Sequence, residues 1–326
     1  MTSDGIHCLP IPTPFAIGRV NCYLIEDDPL TLVDTGPNSG KALDALERAL
    51  GEHGRRIEDL ERIVITHQHL DHLGLVGILA DRSGAEVCAL DLLAPVLEEF
   101  GAHAERDDEL AEALMLRNGI PRDVVTALRS VSRSFRGWGG SAAVDRRLAD
   151  GDRLEFAGRT LEVQHRPGHS PSDTLFWDSE SATLIGGDHL IKHISSNPLI
   201  SRPLGGRSGE PGGRPRALMM YIDSLRETRE LPADAVLAGH GEPVTDHVGL
   251  IDERFAMHER RAAKIGGLIA ERPQTAYEIA QALWGNVAVT QAYLTLSEVV
   301  GHVDLLIDRS EVREVEVGGV IRFESS

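Results

Sequence analysis

Thr66-His67-Gln68-His69-Leu70-Asp71-His72 places three histidines and one aspartate within six positions. Arg62-Ile63-Val64-Ile65 just before it is short, apolar and β-branched, and reads as a buried strand. Leu73-Gly74-Leu75-Val76-Gly77-Ile78-Leu79-Ala80 just after it reads as the first turns of a packed helix. The cluster therefore sits where a strand delivers the chain to a helix, at the carboxyl edge of a sheet, where open sheets place their sites. His67 and His69 are two apart, so on extended backbone their imidazoles share one side. Asp71 and His72 lie past the bend and point elsewhere. Two diverging pairs of ligands suggest two metal ions rather than one. One histidine near a strand end is ordinary; this density of metal-ligating side chains is not.

Working outward, Val20-Asn21-Cys22-Tyr23-Leu24-Ile25, a turn at Asp27-Asp28-Pro29 and Leu30-Thr31-Leu32-Val33 read as a hairpin ending at Asp34. Ser39 caps a helix through about Leu50. After the histidine cluster, Glu86-Val87-Cys88-Ala89-Leu90 reads as a strand. Three helices are expected next: Leu92 to His103, Asp107 to Asn118 and Pro121 to Arg136. Two hairpins follow, one leading to Pro167-Gly168-His169 and one to Ile185-Gly186-Gly187-Asp188. Arg202 to Arg216 is mostly Gly, Pro and Arg and reads as loop, either a mobile substrate flap or simple disorder. Ala217 to Arg229 reads as an amphipathic helix, and Ala235-Val236-Leu237-Ala238 as the strand that delivers His240. Beyond residue 250 the pattern is helical, with helices expected at Asp252 to Arg272, Thr275 to Leu283 and Val289 to Arg309. Val312 to Phe323 then alternates around Gly318-Gly319, a hairpin turn.

The cluster His67-x-His69-x-Asp71-His72 resembles the signature of the metallo-β-lactamase-fold hydrolases. That family needs four further positions in order, each after a strand, and Asp34, His169, Asp188 and His240 occupy them. The resemblance covers roughly residues 15 to 250. It implies an α/β fold, an αββα sandwich of two face-to-face sheets with helices outside. It divides the chain into a hydrolase domain at 1–250, with a helical insertion at about 91–148, and a small winged-helix-like domain at 251–326. The order resembles the lactamase-like group that includes a mitochondrial endoribonuclease and fungal polyketide thioesterases, and departs from glyoxalase II, whose terminal helices bind glutathione. It further implies that His67, His69 and His169 hold one ion, that Asp71, His72 and His240 hold the other, and that Asp188 bridges both. Asp34 would orient the metal-binding loop by hydrogen bonds without binding an ion. Asp71 would also handle a proton. Imidazole and carboxylate donors without thiolate suit Zn²⁺, with Fe²⁺ and Mn²⁺ as alternatives. Two such ions would share a hydroxide that attacks an electrophilic carbonyl or phosphoryl centre.

Composition narrows the chemistry. The chain has 326 residues, enough for one large domain and a small second one, and a formal net charge of −18. That charge argues against a nucleic-acid-binding surface. The expected third C-terminal helix carries Glu298, Asp304 and Asp308, the wrong sign for a phosphate-contacting element. The terminal module is therefore expected to pack or to form a homodimer. The three cysteines show no CxxC spacing, no basic n-region opens the chain, and no apolar run approaches the roughly 20 residues of a membrane span. A cytoplasmic enzyme is expected. Within the acidic chain, Arg129, Arg133 and Arg136 on the insertion and Arg202 and Arg207 on the loop are expected to meet an anionic group of a small substrate, with Lys192 and His193 as further contacts. The function expected is hydrolysis of a small thioester, ester or lactone; the alternative is a metal-dependent endoribonuclease or phosphodiesterase.

Overall fold

The computed structural model describes residues 5–205 and 214–326. One sheet contains β1 (Ile6–Ile11), β2 (Val20–Ile25), β3 (Thr31–Val33), β4 (Arg62–Ile65), β5 (Glu86–Leu90) and β6 (Arg146–Leu148), in that order across it. Neighbours are antiparallel from β1 to β3 and parallel from β3 to β6. A second sheet contains β7 (Arg153–Glu155), β8 (Thr160–His165), β9 (Thr174–Asp178), β10 (Thr183–Gly187) and β11 (Ala235–Ala238). β10 and β11 pair in parallel, and the other neighbours are antiparallel. The expected strands are present. β1 and β6 were not anticipated. β1 contains Pro10, which cannot donate to a ladder, and it lies at the sheet edge where that loss is tolerated.

The helices are α1 (Gly40–Glu52), α2 (Leu70–Leu73), α3 (Val76–Ser83), α4 (Ala94–Glu98), α5 (Phe100–Arg117), α6 (Arg122–Phe135), α7 (Ala217–Arg229), α8 (His247–Glu271), α9 (Ala276–Trp284), α10 (Val287–Thr290) and α11 (Ala292–Asp308). The chain ends in a hairpin of β12 (Val312–Val317) and β13 (Val320–Ser325). Ser39 caps α1 through its side chain, which accepts from the Ala42 N–H, as its sequence position predicts. The insertion differs from expectation. The break falls at Glu99, between α4 and α5, and residues 104–106 stay helical because Ala104, Glu105 and Arg106 are good helix formers with no breaker among them. α8 begins five residues earlier than expected, where Asp246 accepts from the Gly249 N–H. The third C-terminal helix is interrupted at Gln291, between α10 and α11.

The period-2 alternation of strand side chains builds the layers. In β4, Ile63 and Ile65 join a core under α1 and α3 with Leu46, Leu50 and Leu79. Val64 faces the other way, into a core between the sheets with Phe176, Ile185 and Leu237. On the far side of the second sheet, Leu184 and Val236 pack with Tyr221 and Leu225 of α7 and Ile251 of α8. This is the αββα sandwich.

The C-terminal helices are not an appended body. Leu114, Met115 and Val125 of the insertion share one core with Ile265, Ile279, Leu296, Val300 and Phe323. Each such buried side chain contributes about 1.5–3 kcal/mol, more than an exposed ion pair can. The hairpin is held there too, by two backbone hydrogen bonds between Gln274 and Phe323.

Candidate metal centre

The sandwich brings five segments together at one edge. His67 and His69 follow β4, with Asp71 and His72 in α2. His169 follows β8, Asp188 follows β10 and His240 follows β11. Glycines let the backbone come close enough. Gly168 precedes His169 at φ +151°, and a Cβ there would lie 2.3 Å from Tyr221 Cα. Gly239 precedes His240, and its Cβ would lie 2.3 Å from Asp188 Oδ1 and 2.8 Å from His72 Cε1.

Two groups of side chains result. In the first, His67 Nε2 and His169 Nε2 each lie 3.0 Å from His69 Nδ1. Together with Asp188 they offer ligand atoms within 4.8 Å of one another. Burial, then the neighbouring His72 and His69, holds His67 well below its ordinary value, and burial together with His169 pushes His69 down to about 3. Neutral imidazoles aimed at one point present lone pairs to it. A tetrahedral Zn²⁺ site with N ligands at about 2.0–2.1 Å sets its nitrogens roughly 3.3 Å apart, close to the spacing found. The second group is Asp71, His72 and His240. His72 Nε2 and His240 Nε2 are buried without a hydrogen-bond partner, and so is Asp188 Oδ1. Such orphans are costly unless something not yet counted satisfies them. A divalent cation fits this donor set.

Asp188 faces both groups. Its Oδ1 lies 3.4 Å from His72 Nε2, and its Oδ2 lies 3.4 Å from His240 Nε2 and 3.7 Å from His169 Nε2. Burial opposes its ionisation, but His72 and His240 outweigh that and hold its carboxyl well below the usual range. The same contacts act in reverse on the histidines. Burial favours neutral His72, yet Asp188 and Asp34 raise it well above its ordinary value. His240 is pushed up to about 9, against burial, chiefly by Asp188 with help from Asp71. Asp71 is lowered despite burial, by its contact with His240 and by His72.

Asp34 lies one layer behind. It accepts from the Thr66 N–H at 2.9 Å, from the Thr66 hydroxyl and from His72 Nδ1–H at 2.7 Å. His67 Nδ1 in turn lies 3.0 Å from Thr66 Oγ1, which leaves its Nε2 for the cluster. Asp34 sits at φ +61°, in the left-handed region that few residues but Gly, Asn and Asp adopt. His240 donates from Nδ1 to the Arg19 carbonyl at 2.7 Å, and Asn21 and Tyr23 both bind the Ala238 carbonyl. Thr66, Asn21 and Tyr23 escaped the sequence reading. Their only signal was a polar group in or directly after an otherwise apolar strand.

The other expected contacts divide. Arg136 and Arg202 line a cavity of about 290 Å³ beside His69; Arg129 and Arg133 are not among its lining residues. The arginines expected to form an anion-binding wall face carboxylates on α5. Arg129 pairs with Glu105 and Glu112, Arg133 with Glu105, and Arg136 with Glu105 and Asp108. Arg202 binds Asp107 at 3.2 Å and His103 Nδ1 at 2.6 Å. Opposite charges one helix away neutralise the bias that looked free in the sequence. Arg207 lies outside the described residues. Lys192 is exposed. His193 packs on Gly241, where an added Cβ would meet its Nδ1 at 2.7 Å, so it lies next to His240. Arg254 of α8 holds this loop by donating to the carbonyls of Ile191, Lys192 and Ile194.

Known proteins resemble this chain in sequence and in fold. Residues 16–240 match the family model of the metallo-beta-lactamase superfamily. The chain is 31% identical over 328 residues to the probable metallo-hydrolase YqjP of Bacillus subtilis (strain 168), covering 100% of this chain and 99% of that one. It is 28% identical over 245 residues to the hydroxyacylglutathione hydrolase GloC of Haemophilus influenzae, covering 71% of this chain and 90% of that one. Its structure is similar to that of a metallo-beta-lactamase family protein from Thermus thermophilus, with a TM-score of 0.80, 27% identity and 99% of each chain covered.

Proposed function

The chain belongs to the metallo-beta-lactamase superfamily, and from that premise we propose that it hydrolyses a small acyl substrate, a thioester, ester or lactone, at a centre of two divalent metal ions. The observation that carries the two-ion reading is that Asp188 reaches both groups, facing His169 of the first and His72 and His240 of the second. His67, His69 and His169 hold one ion in this reading, and Asp71, His72 and His240 hold the other. When bound, such ions polarise a carbonyl oxygen and make water a nucleophile near neutral pH. Zn²⁺ is the ion we propose, because every donor is imidazole or carboxylate.

The chain's own residues supply the rest. Asp34 fixes the ring of His72 and, through Thr66, that of His67. Asp71, lowered by His240 and His72, is a carboxylate at neutral pH, so it can accept a proton but not donate one. The buried cluster keeps bulk water from competing for the reacting carbonyl. A relative named for hydrolysis of a hydroxyacylglutathione, an acyl thioester, supports the acyl reading over a nucleic acid substrate. The charge of −18 supports it too. Among the described residues, no helix is long and apolar enough to cross a membrane.

The test is metal analysis of the full chain, then assay against thioesters, lactones, phosphodiesters and short RNA. About two ions per chain and turnover of thioesters at rates insensitive to salt are expected. Cleavage of RNA alone, falling steeply with salt, would replace the acyl reading with the nuclease one.

A further inference from the structure

The cavity beside His69 lies between the insertion and the start of α11. Its apolar lining includes Leu70, Val96, Phe100, Leu110, Leu199 and Tyr293. His69 belongs both to this lining and to the histidine cluster, so the cavity opens onto the proposed metal centre. Its arginines each face a carboxylate. Arg136 faces Asp108, and Arg202 faces Asp107. The Gln68 Oε1 accepts from the Ser172 hydroxyl at 2.5 Å, and the Tyr293 hydroxyl donates to the Ile200 carbonyl. Charges balanced within the wall leave an interior that rewards apolar area rather than an anion.

Resting on the hydrolase reading above, we propose that this cavity is the acyl pocket of the site, and that it takes an unbranched apolar acyl group. The volume of about 290 Å³ limits the length. At the packing density of protein interiors it holds about twelve carbons. The C-terminal segment thereby becomes part of the substrate site. Tyr293 at the start of α11 closes the pocket, and its bond to Ile200 ties that wall to the loop after Asp188.

The experiment is a series of neutral acyl-N-acetylcysteamine thioesters, from about two to sixteen carbons, on the metal-loaded full chain. Each buried methylene should raise kcat/KM about fourfold, the factor equivalent to ~0.8 kcal/mol. The rise should stop at about twelve carbons, where the cavity ends. Ala104 also lines the pocket, on α5. Ala104→Phe should lower the dodecanoyl-to-acetyl ratio of kcat/KM by at least about 50-fold, about the factor of three lost methylenes. Leu110→Ala should move the optimum to longer chains, so a folding failure of either variant leaves the other as the test. A flat dependence from two to eight carbons, or ratios unchanged in both variants, would overturn the pocket. If no thioester of any length is cleaved, the hydrolase reading of the substrate fails instead. The pocket is then judged by binding of 1-octanol in ligand-observed NMR, where loss in Ala104→Phe supports it and equal binding in wild type and variant refutes it.

Discussion

Asp34 Oδ2 accepts a hydrogen bond from His72 Nδ1 at 2.7 Å across 38 positions of sequence, and that contact turns His72 Nε2 toward Asp188, 3.4 Å away. A residue that touches no proposed ion therefore decides where a proposed ligand points. Asp34→Asn should weaken metal affinity or activity by about 10- to 100-fold, the usual cost of losing such a partner. Asn also tolerates the left-handed backbone at this position, so the variant removes charge without adding strain. Competition titration with a chromophoric chelator, alongside a melting curve unchanged within a few degrees, checks it.

A proton on His240 must leave when metal arrives. His72 and His240 are both raised by facing carboxylates, His240 to about 9. With His240 at about 9 it carries a proton at pH 7.5 before metal is added, so loading should release at least about one proton. Calorimetry in buffers of different ionisation enthalpy measures this number. Release should decline above pH 9, where His240 is already neutral. The same sign governs stability. The raised His240 stabilises the metal-free fold fully below its ordinary value of 6.5, and that stabilisation is lost as pH rises through about 9. Denaturant midpoints of metal-free protein should therefore fall between pH 7 and 10, while those of the loaded protein should not follow this term.

Gly239→Ala should be more damaging than a conservative change suggests. The new Cβ would sit 2.3 Å from Asp188 Oδ1 and 2.8 Å from His72 Cε1. Either side chain must move, and a displacement on the order of 1 Å at a reacting centre can cost about 100-fold. Elemental analysis should show fewer ions per chain, with kcat down by roughly that factor.

Arg129→Ala and Arg133→Ala should leave kcat/KM within about fivefold on anionic and neutral esters alike, because exposed pairs are worth at most about 1 kcal/mol. Their shared partner Glu105 is held down to about 2 by Arg133, Arg136 and Arg129. A lowered carboxylate stabilises above its ordinary 4.5 and ceases to do so as pH falls through about 2. The ion-pair ladder between α5 and α6 should thus persist at pH 4. Paired assays of the two ester classes, with helix content followed down to pH 3, test both statements.

The proposed ligands were legible because each is a chemically distinctive side chain directly after a short apolar run: His67 after Ile63-Val64-Ile65, His240 after Val236-Leu237-Ala238. The alternation that sends Val64 one way and Ile65 the other was legible too, and it sets the layers. Charge balance was not. Arg129 and Glu112 lie 17 positions apart on two helices, and only the docking of α5 on α6 brings them together. Helix periodicity reports that a helix has an apolar face without saying what covers it. Arg117 meeting Glu316 across 199 positions is a contact that no local pattern contains.

The core common to α5, α6 and the final helices also bears on what can be removed. A chain stopped near residue 250 would keep both sheets and every proposed ligand, yet it would strip the cover from Leu114, Met115 and Val125 and take away Tyr293. A contiguous apolar face of that kind invites self-association in a soluble protein. Trimming should therefore yield aggregates rather than a smaller catalyst.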